Sequence, residues 1–262
     1  MLCRKQVRKL LLTNSFVVLV AFAAFHPQVC YSLPVPESVL PILMKFRTPD
    51  TTSEVTLIAA KSTARIALNK HVSAYVKGYL RSEYEFLKKM ECKSRLYFRS
   101  FEKVFEKYDL PLQLKYLAII ESQLQWNARS HAGARGLWQL MPVTAKDWGL
   151  KITHRSDERL QTYSSTVAAA RYLKYLYSEF GDWLLVLAAY NAGEGSVLRA
   201  IKRSGSRNFW ALQRYLPAES RGHVKRFIGV HYFFEGQGSI VTQTKAEAKA
   251  WQESLNDQLA VR

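Results

Sequence analysis

Ala118-Ile119-Ile120-Glu121-Ser122 leads, after a short stretch, into Ser130-His131-Ala132-Gly133-Ala134-Arg135-Gly136-Leu137-Trp138-Gln139-Leu140-Met141-Pro142. A lone glutamate closes an apolar run, and a glycine-rich turn carrying an amide follows it. A carboxylate on an apolar helix face is costly to bury as an ion. A carboxyl group that keeps its proton near neutral pH can act as a general acid. Glu121 is therefore the candidate catalytic residue. Gly133 and Gly136 allow close backbone approach and unusual dihedrals.

Outward from this block the pattern is helical. Leu110-Pro111 suits a helix start, and Leu114, Leu117, Ile120 and Leu124 form the stripe of that helix. Glu121 lies four residues after Leu117 and seven after Leu114, on the same face. Upstream, Val72, Tyr75, Val76 and Leu80 repeat at helical spacing. Residues 142–148 form a short helical turn. Ser164-Ser165 is expected to cap a helix striped by Val167, Ala170, Leu173, Tyr177 and Phe180 and stopped by Gly181. Asp182 then caps residues 183–190, which are apolar on every side and so expected to be buried. Asn191-Ala192-Gly193-Glu194-Gly195 interrupts the pattern. Residues 197–202 and 222–234 are further helices, and 245–259 a short one in a polar tail. Strand-like alternation is scarce and no repeat is present. The fold class is mostly α.

At 262 residues, 48% hydrophobic and 13% aromatic, the chain has ample material for a packed core, which excludes disorder for most of it. The formal charge of +17 favours polyanions such as nucleic acid, anionic lipid or cell-wall polymer. The basic residues are scattered, however, and the aromatics sit mostly in apolar helix patterns, not on a basic stripe. A nucleic-acid partner is therefore not expected. Arg4, Lys5, Arg8 and Lys9 precede the apolar run Phe16-Val17-Val18-Leu19-Val20-Ala21-Phe22-Ala23-Ala24-Phe25. This is the layout of a secretory signal, with cleavage expected near residue 32. Cys3 and Cys30 lie in this leader, so Cys92 would remain alone and no internal disulfide is expected. The six histidines are dispersed, and no metal and no cofactor is expected.

Around Glu121 the sequence supplies a polar and aromatic groove. Ser130, Gln139 and Asn191 can bond hydroxyl and acetamido groups, and Trp126, Trp138 and Tyr190 offer flat apolar faces, with Trp138 expected to be structural. This suits a neutral, hydroxyl-rich polymer such as a glycan. No phosphate-cradling loop and no nucleophile–base arrangement is evident from spacing.

Three ordered blocks resemble the signature of the soluble-type lytic transglycosylase (SLT) domain family, most nearly its membrane-bound lytic murein transglycosylase D branch. They are Glu121-Ser122, the segment 132–142, and Ala189-Tyr190-Asn191-Ala192-Gly193-Glu194-Gly195. Phe180-Gly181-Asp182-Trp183-Leu184-Leu185 and residues 216–224 extend the likeness. The resemblance implies a lysozyme-like (goose-type/SLT) catalytic domain over 108–235. A helical lead-in at 69–107, a linker at 33–68, a leader at 1–32 that would otherwise serve as an anchor, and a polar tail at 236–262 complete the expected organisation. It further implies an exported enzyme of the periplasm or cell envelope that cleaves peptidoglycan glycan strands without water, leaving 1,6-anhydro ends, in cell-wall remodelling or turnover. Glu121 matches the sole catalytic acid/base. Ser130, Gln139, Met141, Tyr190, Asn191, Glu219 and His223 match groove positions that hold sugar. Cell-wall or envelope proteins are the implied protein partners, and membrane association would run through the N-terminus. One departure is chemical. Where the family usually has Glu-Thr-x-x-Tyr, this chain has Glu219-Ser220-Arg221-Gly222-His223, so an imidazole stands where a phenol normally approaches the acid. The alternatives are a hydrolytic muramidase of the same fold, which would need a second acid, and a non-catalytic wall-binding protein.

Overall fold

The structure is a computed structural model that describes residues 65–260. The expected leader and most of the linker lie outside the described residues. Among the described residues eleven α-helices follow in order: α1 Ser73–Ser82, α2 Tyr84–Ser94, α3 Phe98–Lys107, α4 Leu117–Ser122, α5 Pro142–Asp147, α6 Thr162–Phe180, α7 Trp183–Ala192, α8 Glu194–Ser204, α9 Phe209–Leu212, α10 Ala218–Glu235 and α11 Lys245–Ala260. Among the described residues there is no strand, only isolated bridges such as Ile66 with Gly238. The protein is mostly α.

The centre is α7. Every residue from Trp183 to Ala189 is buried, as an element apolar all round must be. Asp182 caps it: Oδ1 accepts from the backbone N–H groups of Leu184 (2.9 Å) and Leu185 (3.2 Å). Oδ2 accepts from the N–H of Lys245 at 2.7 Å, so the same carboxylate fixes the start of α11. Glu247 adds a second anchor, accepting from the indole N–H of Trp210 at 3.1 Å and from the amide of Asn69. The segment expected as a polar tail is thus a 16-residue helix tied to the start of α7, to Trp210 and, through Asn69, to the beginning of the described residues. Helices α6, α8 and α10 pack on α7, and α10 also packs on α1 and α4.

Three local expectations are corrected. The stripe from Leu114 to Leu124 is not one α-helix: Leu112–Tyr116 is 3-10, and α4 ends at Ser122 because Gln123 is left-handed at φ 54°. Leu124 is still buried, but past the helix. Ser164 and Ser165 are not caps. The chain turns helical after extended Gln161, and the Ser165 hydroxyl donates back to the Gln161 carbonyl at 2.7 Å. Cys92 is disulfide-bonded; the expectation of none assumed a chain without its leader, whereas Cys3 and Cys30 lie outside the described residues.

Helix α10 buries two histidines on one face, His223 and His231. His231 is fully enclosed, with Nε2 2.8 Å from the Ser239 hydroxyl. Burial, helped by the charge of Lys115, lowers its pKa to about 4. The unfolded chain takes up this proton from about pH 6.5 downward and the folded chain does not, so acidification favours unfolding. Stability is expected to fall by roughly 2–3 kcal/mol between pH 7 and 4.5 through this group alone. Urea midpoints at the two pH values check it: His231→Gln should show the smaller loss, and equal losses would remove His231 as the cause.

Candidate active site

Glu121 sits in the last turn of α4, and the chain cannot continue as helix beyond Ser122. Of the four non-glycine residues with positive φ among the described residues, Gln123, Leu124 and Gln139 all lie in this region. Each left-handed residue costs on the order of 1 kcal/mol. That cost is concentrated where the acid is presented.

The Glu121 side chain is 12% exposed and its Oε1 lies 2.7 Å from His223 Nε2. His223 is buried, and among the described residues its Nδ1 has no partner. This orphan fixes the tautomer on physical grounds. A proton on Nδ1 would bury a donor without an acceptor, which costs more than an idle lone pair. The imidazole therefore carries its proton on Nε2 and donates it to Oε1. Oε2 has no protein partner among the described residues and is the oxygen available to a ligand. The imidazole that the sequence placed where a phenol normally approaches the acid is therefore both buried and bonded to it.

Tyr190, at the end of α7, completes the electrostatic setting. Burial raises its pKa well above the ordinary phenol range, and the charge of Glu121, then Tyr172, adds to this. Its hydroxyl therefore stays protonated and donates to the Trp138 carbonyl at 2.7 Å. Among the described residues Glu121 is the one carboxylate whose charge acts on this hydroxyl.

The loop beside the acid is held carbonyl by carbonyl. Gly136 accepts from Gln139 Nε2 at 2.8 Å, Leu137 from the Ser122 hydroxyl at 2.8 Å, and Trp138 from Tyr190. Arg159 Nη1 donates to the carbonyls of Gly133 (2.9 Å) and Leu140 (3.1 Å). Asp157 in turn holds Arg159 at 2.8 Å and Arg135 at 3.0 Å. The Arg159 guanidinium, above all, pulls the Asp157 carboxyl down to about 2. Trp138 is fully buried, with its indole N–H on Thr166 at 2.9 Å, and is structural as expected.

The sequence-predicted groove residues divide accordingly. Tyr190 and Gln139 spend donors on the loop, so toward a sugar they offer acceptor oxygens. Asn191 Oδ1 accepts from the Ser220 hydroxyl at 2.7 Å, which joins α7 to the first turn of α10 one turn before His223. Ser130 Oγ accepts from the Ala134 N–H at 3.0 Å, leaving its own proton to give. Met141 is 41% exposed at the start of α5. Glu219 is exposed and has no side-chain bond among the described residues. No bond ties Ser130, Met141 or Glu219 to Glu121. Glu194, at the start of α8, accepts from the Tyr175 hydroxyl at 3.0 Å. Sequence reasoning missed Asp157, Arg159, Ser122 and Ser220, whose parts become visible only as bonds. Among the described residues no group of three or more His, Cys, Asp or Glu is placed to hold a metal ion.

Comparison with known proteins accords with this geometry. Residues 100–213 match the transglycosylase SLT domain. That span takes in Glu121, the strapped loop and Tyr190, while His223 lies beyond it. The chain is 35% identical over 167 residues to membrane-bound lytic murein transglycosylase D of Escherichia coli, covering 62% of this chain and 36% of that one. It is 45% identical over 97 residues to a protein of Alteromonas sp. (strain M-1) named for tributyltin chloride resistance, covering 37% and 47%. The chain thus spans between about a third and a half of these relatives. The fold is similar to that of the 70 kDa soluble lytic transglycosylase of Escherichia coli, with a TM-score of 0.51 at 23% identity over 66% of this chain and 31% of that one. Over residues 100–213 the chain is thus similar to the transglycosylase SLT domain, and over a longer stretch to membrane-bound lytic murein transglycosylase D.

Proposed function

We propose that this protein is an exported lytic transglycosylase of peptidoglycan. It cleaves the MurNAc-β-1,4-GlcNAc bond and leaves 1,6-anhydroMurNAc ends. The observation that carries this reading is the isolation of Glu121: a shielded carboxyl with one oxygen held by His223 and the other open, and no second carboxylate bonded into the site. Hydrolytic glycosidases ordinarily use a carboxylate pair, one member serving the nucleophile. A lone acid suffices when the substrate brings its own nucleophile. Glu121 gives its proton to the glycosidic oxygen as the bond to the anomeric carbon breaks. The resulting carboxylate then takes the proton of the muramic acid 6-hydroxyl, whose oxygen closes on that anomeric carbon. The proton count balances, with no water consumed. His223 keeps Oε1 occupied through both steps, so proton transfer is confined to Oε2.

Location follows as part of the proposal. Among the described residues no helix is long and apolar enough to cross a membrane. The basic and then apolar N-terminus, outside the described residues, would direct export to the envelope or tether the chain there. The net charge of +17 would favour anionic wall polymer.

Product masses test the reaction. Purified peptidoglycan digested with the protein should yield muropeptides lighter by one water than their reducing-end counterparts. Reducing ends would show a muramidase instead. Binding without release would show a wall-binding protein.

A further inference from the structure

Helix α8 has an outer face that works against its own stability. Val197 and Ala200 are buried, and the helical period puts Leu198, Arg199, Lys202 and Arg203 on the opposite arc, where all four are exposed. Arg199 and Arg203 stand four residues apart, a spacing at which like charges on a helix repel. Leu198, on the same arc, is 54% exposed.

The charge continues beyond the helix. Helix α8 packs on the 3-10 turn Gln213–Tyr215. There the guanidinium groups of Arg203 and Arg214 lie 5.3 and 4.8 Å from the centre of one ring, that of Tyr215. Arg221 Nη1 donates to the adjoining Leu216 carbonyl at 2.8 Å. Three guanidinium groups are thereby gathered at one turn, two of them oriented by the same phenol ring. Residues 195–226 hold eight Lys or Arg and a single acid, Glu219. Among the described residues no ion pair reaches any of the eight. Like charges held together without a counter-charge of the protein's own make a surface that attracts an external anion.

We propose that the outer face of α8, with the turn Gln213–Tyr215, docks on an anionic lipid bilayer. Two features select a bilayer over a soluble polyanion. Leu198 stands among the cations, and a soluble polyanion would leave it in water. A bilayer takes it below the headgroups while Arg199, Lys202 and Arg203 stay level with the phosphates, which is the pattern of a helix lying in an interface. Tyr215 likewise offers an apolar ring with a polar tip, flanked by two planar forks that match phosphate oxygens. The basic and then apolar leader, read as an export signal or anchor, brings the chain to a membrane in either case. A lipid chain or apolar anchor and a basic patch act together, each marginal alone.

The docking is separate from the reaction, since it needs neither Glu121 nor a glycan. Full-length protein is sedimented with vesicles of phosphatidylglycerol and phosphatidylcholine in equal parts, and with vesicles of phosphatidylcholine alone. Amide exchange with and without each vesicle locates the contact. The parent should partition more strongly onto the anionic vesicles, with exchange slowed over residues 194–216. Arg199→Gln, Arg203→Gln and Arg214→Gln should each lower the anionic partition coefficient about fivefold, and all three together about 10²-fold, with no change on neutral vesicles. Leu198→Gln should lower it about fivefold on the anionic vesicles. Arg199→Gln removes a repulsion at four-residue spacing, so its urea midpoint should not fall and a lost partition is not a lost fold. Partition that survives the triple change, or exchange over residues 194–216 that vesicles leave unaltered, overturns the proposal and assigns the lipid binding to the leader. Slowed exchange there with soluble polyphosphate but not with vesicles overturns the bilayer in favour of a soluble phosphate polymer.

Discussion

Glu121→Gln should cut release of soluble muropeptides by at least about 10³-fold, without loss of fold or of binding to the wall. General acid–base help is worth about 10²–10⁴ in rate, and here one carboxyl serves as acid in the first step and base in the second. The amide keeps an oxygen to accept the Nε2–H of His223, which stands 2.7 Å from Oε1. The buried imidazole therefore does not lose its acceptor, and the usual penalty for orphaning a buried donor does not arise. What the amide lacks is a transferable proton. The loss should fall on kcat, with sedimentation alongside purified wall unchanged and thermal midpoints within a few degrees. A variant retaining a tenth or more of the parent rate would remove Glu121 from the reaction. The proton chemistry would then have to be sought at Glu219, the exposed acid at the start of α10.

The sequence discloses those features that a single element carries by itself. The burial of α7 is legible because residues 183–190 have no polar face, and its start is legible because Asp182 stands directly before the apolar run. Glu121 is legible because a charge on a narrow apolar stripe is out of place. What is not legible depends on partners far apart in the chain. The bond from His223 to Glu121 spans 102 residues, and no periodicity encodes it; only the likeness of the 219–223 block to a known signature pointed there. Arg159 lies in a polar stretch and reads as solvated, yet it is 5% exposed and joins two loop carbonyls to Asp157. Backbone carbonyls leave no mark on a sequence, so the donors that hold them, Ser122, Gln139 and Tyr190, could not be read as loop anchors; Gln139 and Tyr190 read only as groove residues.

Gly136→Ala carries the second large effect, because backbone meets backbone at this position. Gly136 has φ +79°, and a Cβ built there would stand 2.0 Å from the Arg159 carbonyl oxygen. That oxygen belongs to the 3-10 turn Glu158–Leu160, and the Arg159 side chain is bonded to Gly133, Leu140 and Asp157. Neither side can rotate away as a flexible side chain would. The loop and the turn must separate by roughly 1 Å, and a displacement of that size at a site is enough to cost about 10²-fold in rate. The Gly136 carbonyl is also the acceptor for Gln139, and the next two carbonyls hold Ser122 and Tyr190, so the shift passes directly to the residues around Glu121. Stability should fall by about 3 kcal/mol, in the range of overpacked and strained positions. Gly133→Ala provides the contrast. It has φ +92°, but nothing within 4 Å of the added carbon. It should show dihedral strain alone, about 1 kcal/mol, and a rate within a few-fold of the parent. Denaturant midpoints and kcat/KM for the two variants decide the matter: equal effects would mean that positive φ, and not the approach of loop to turn, is why glycine is required at position 136.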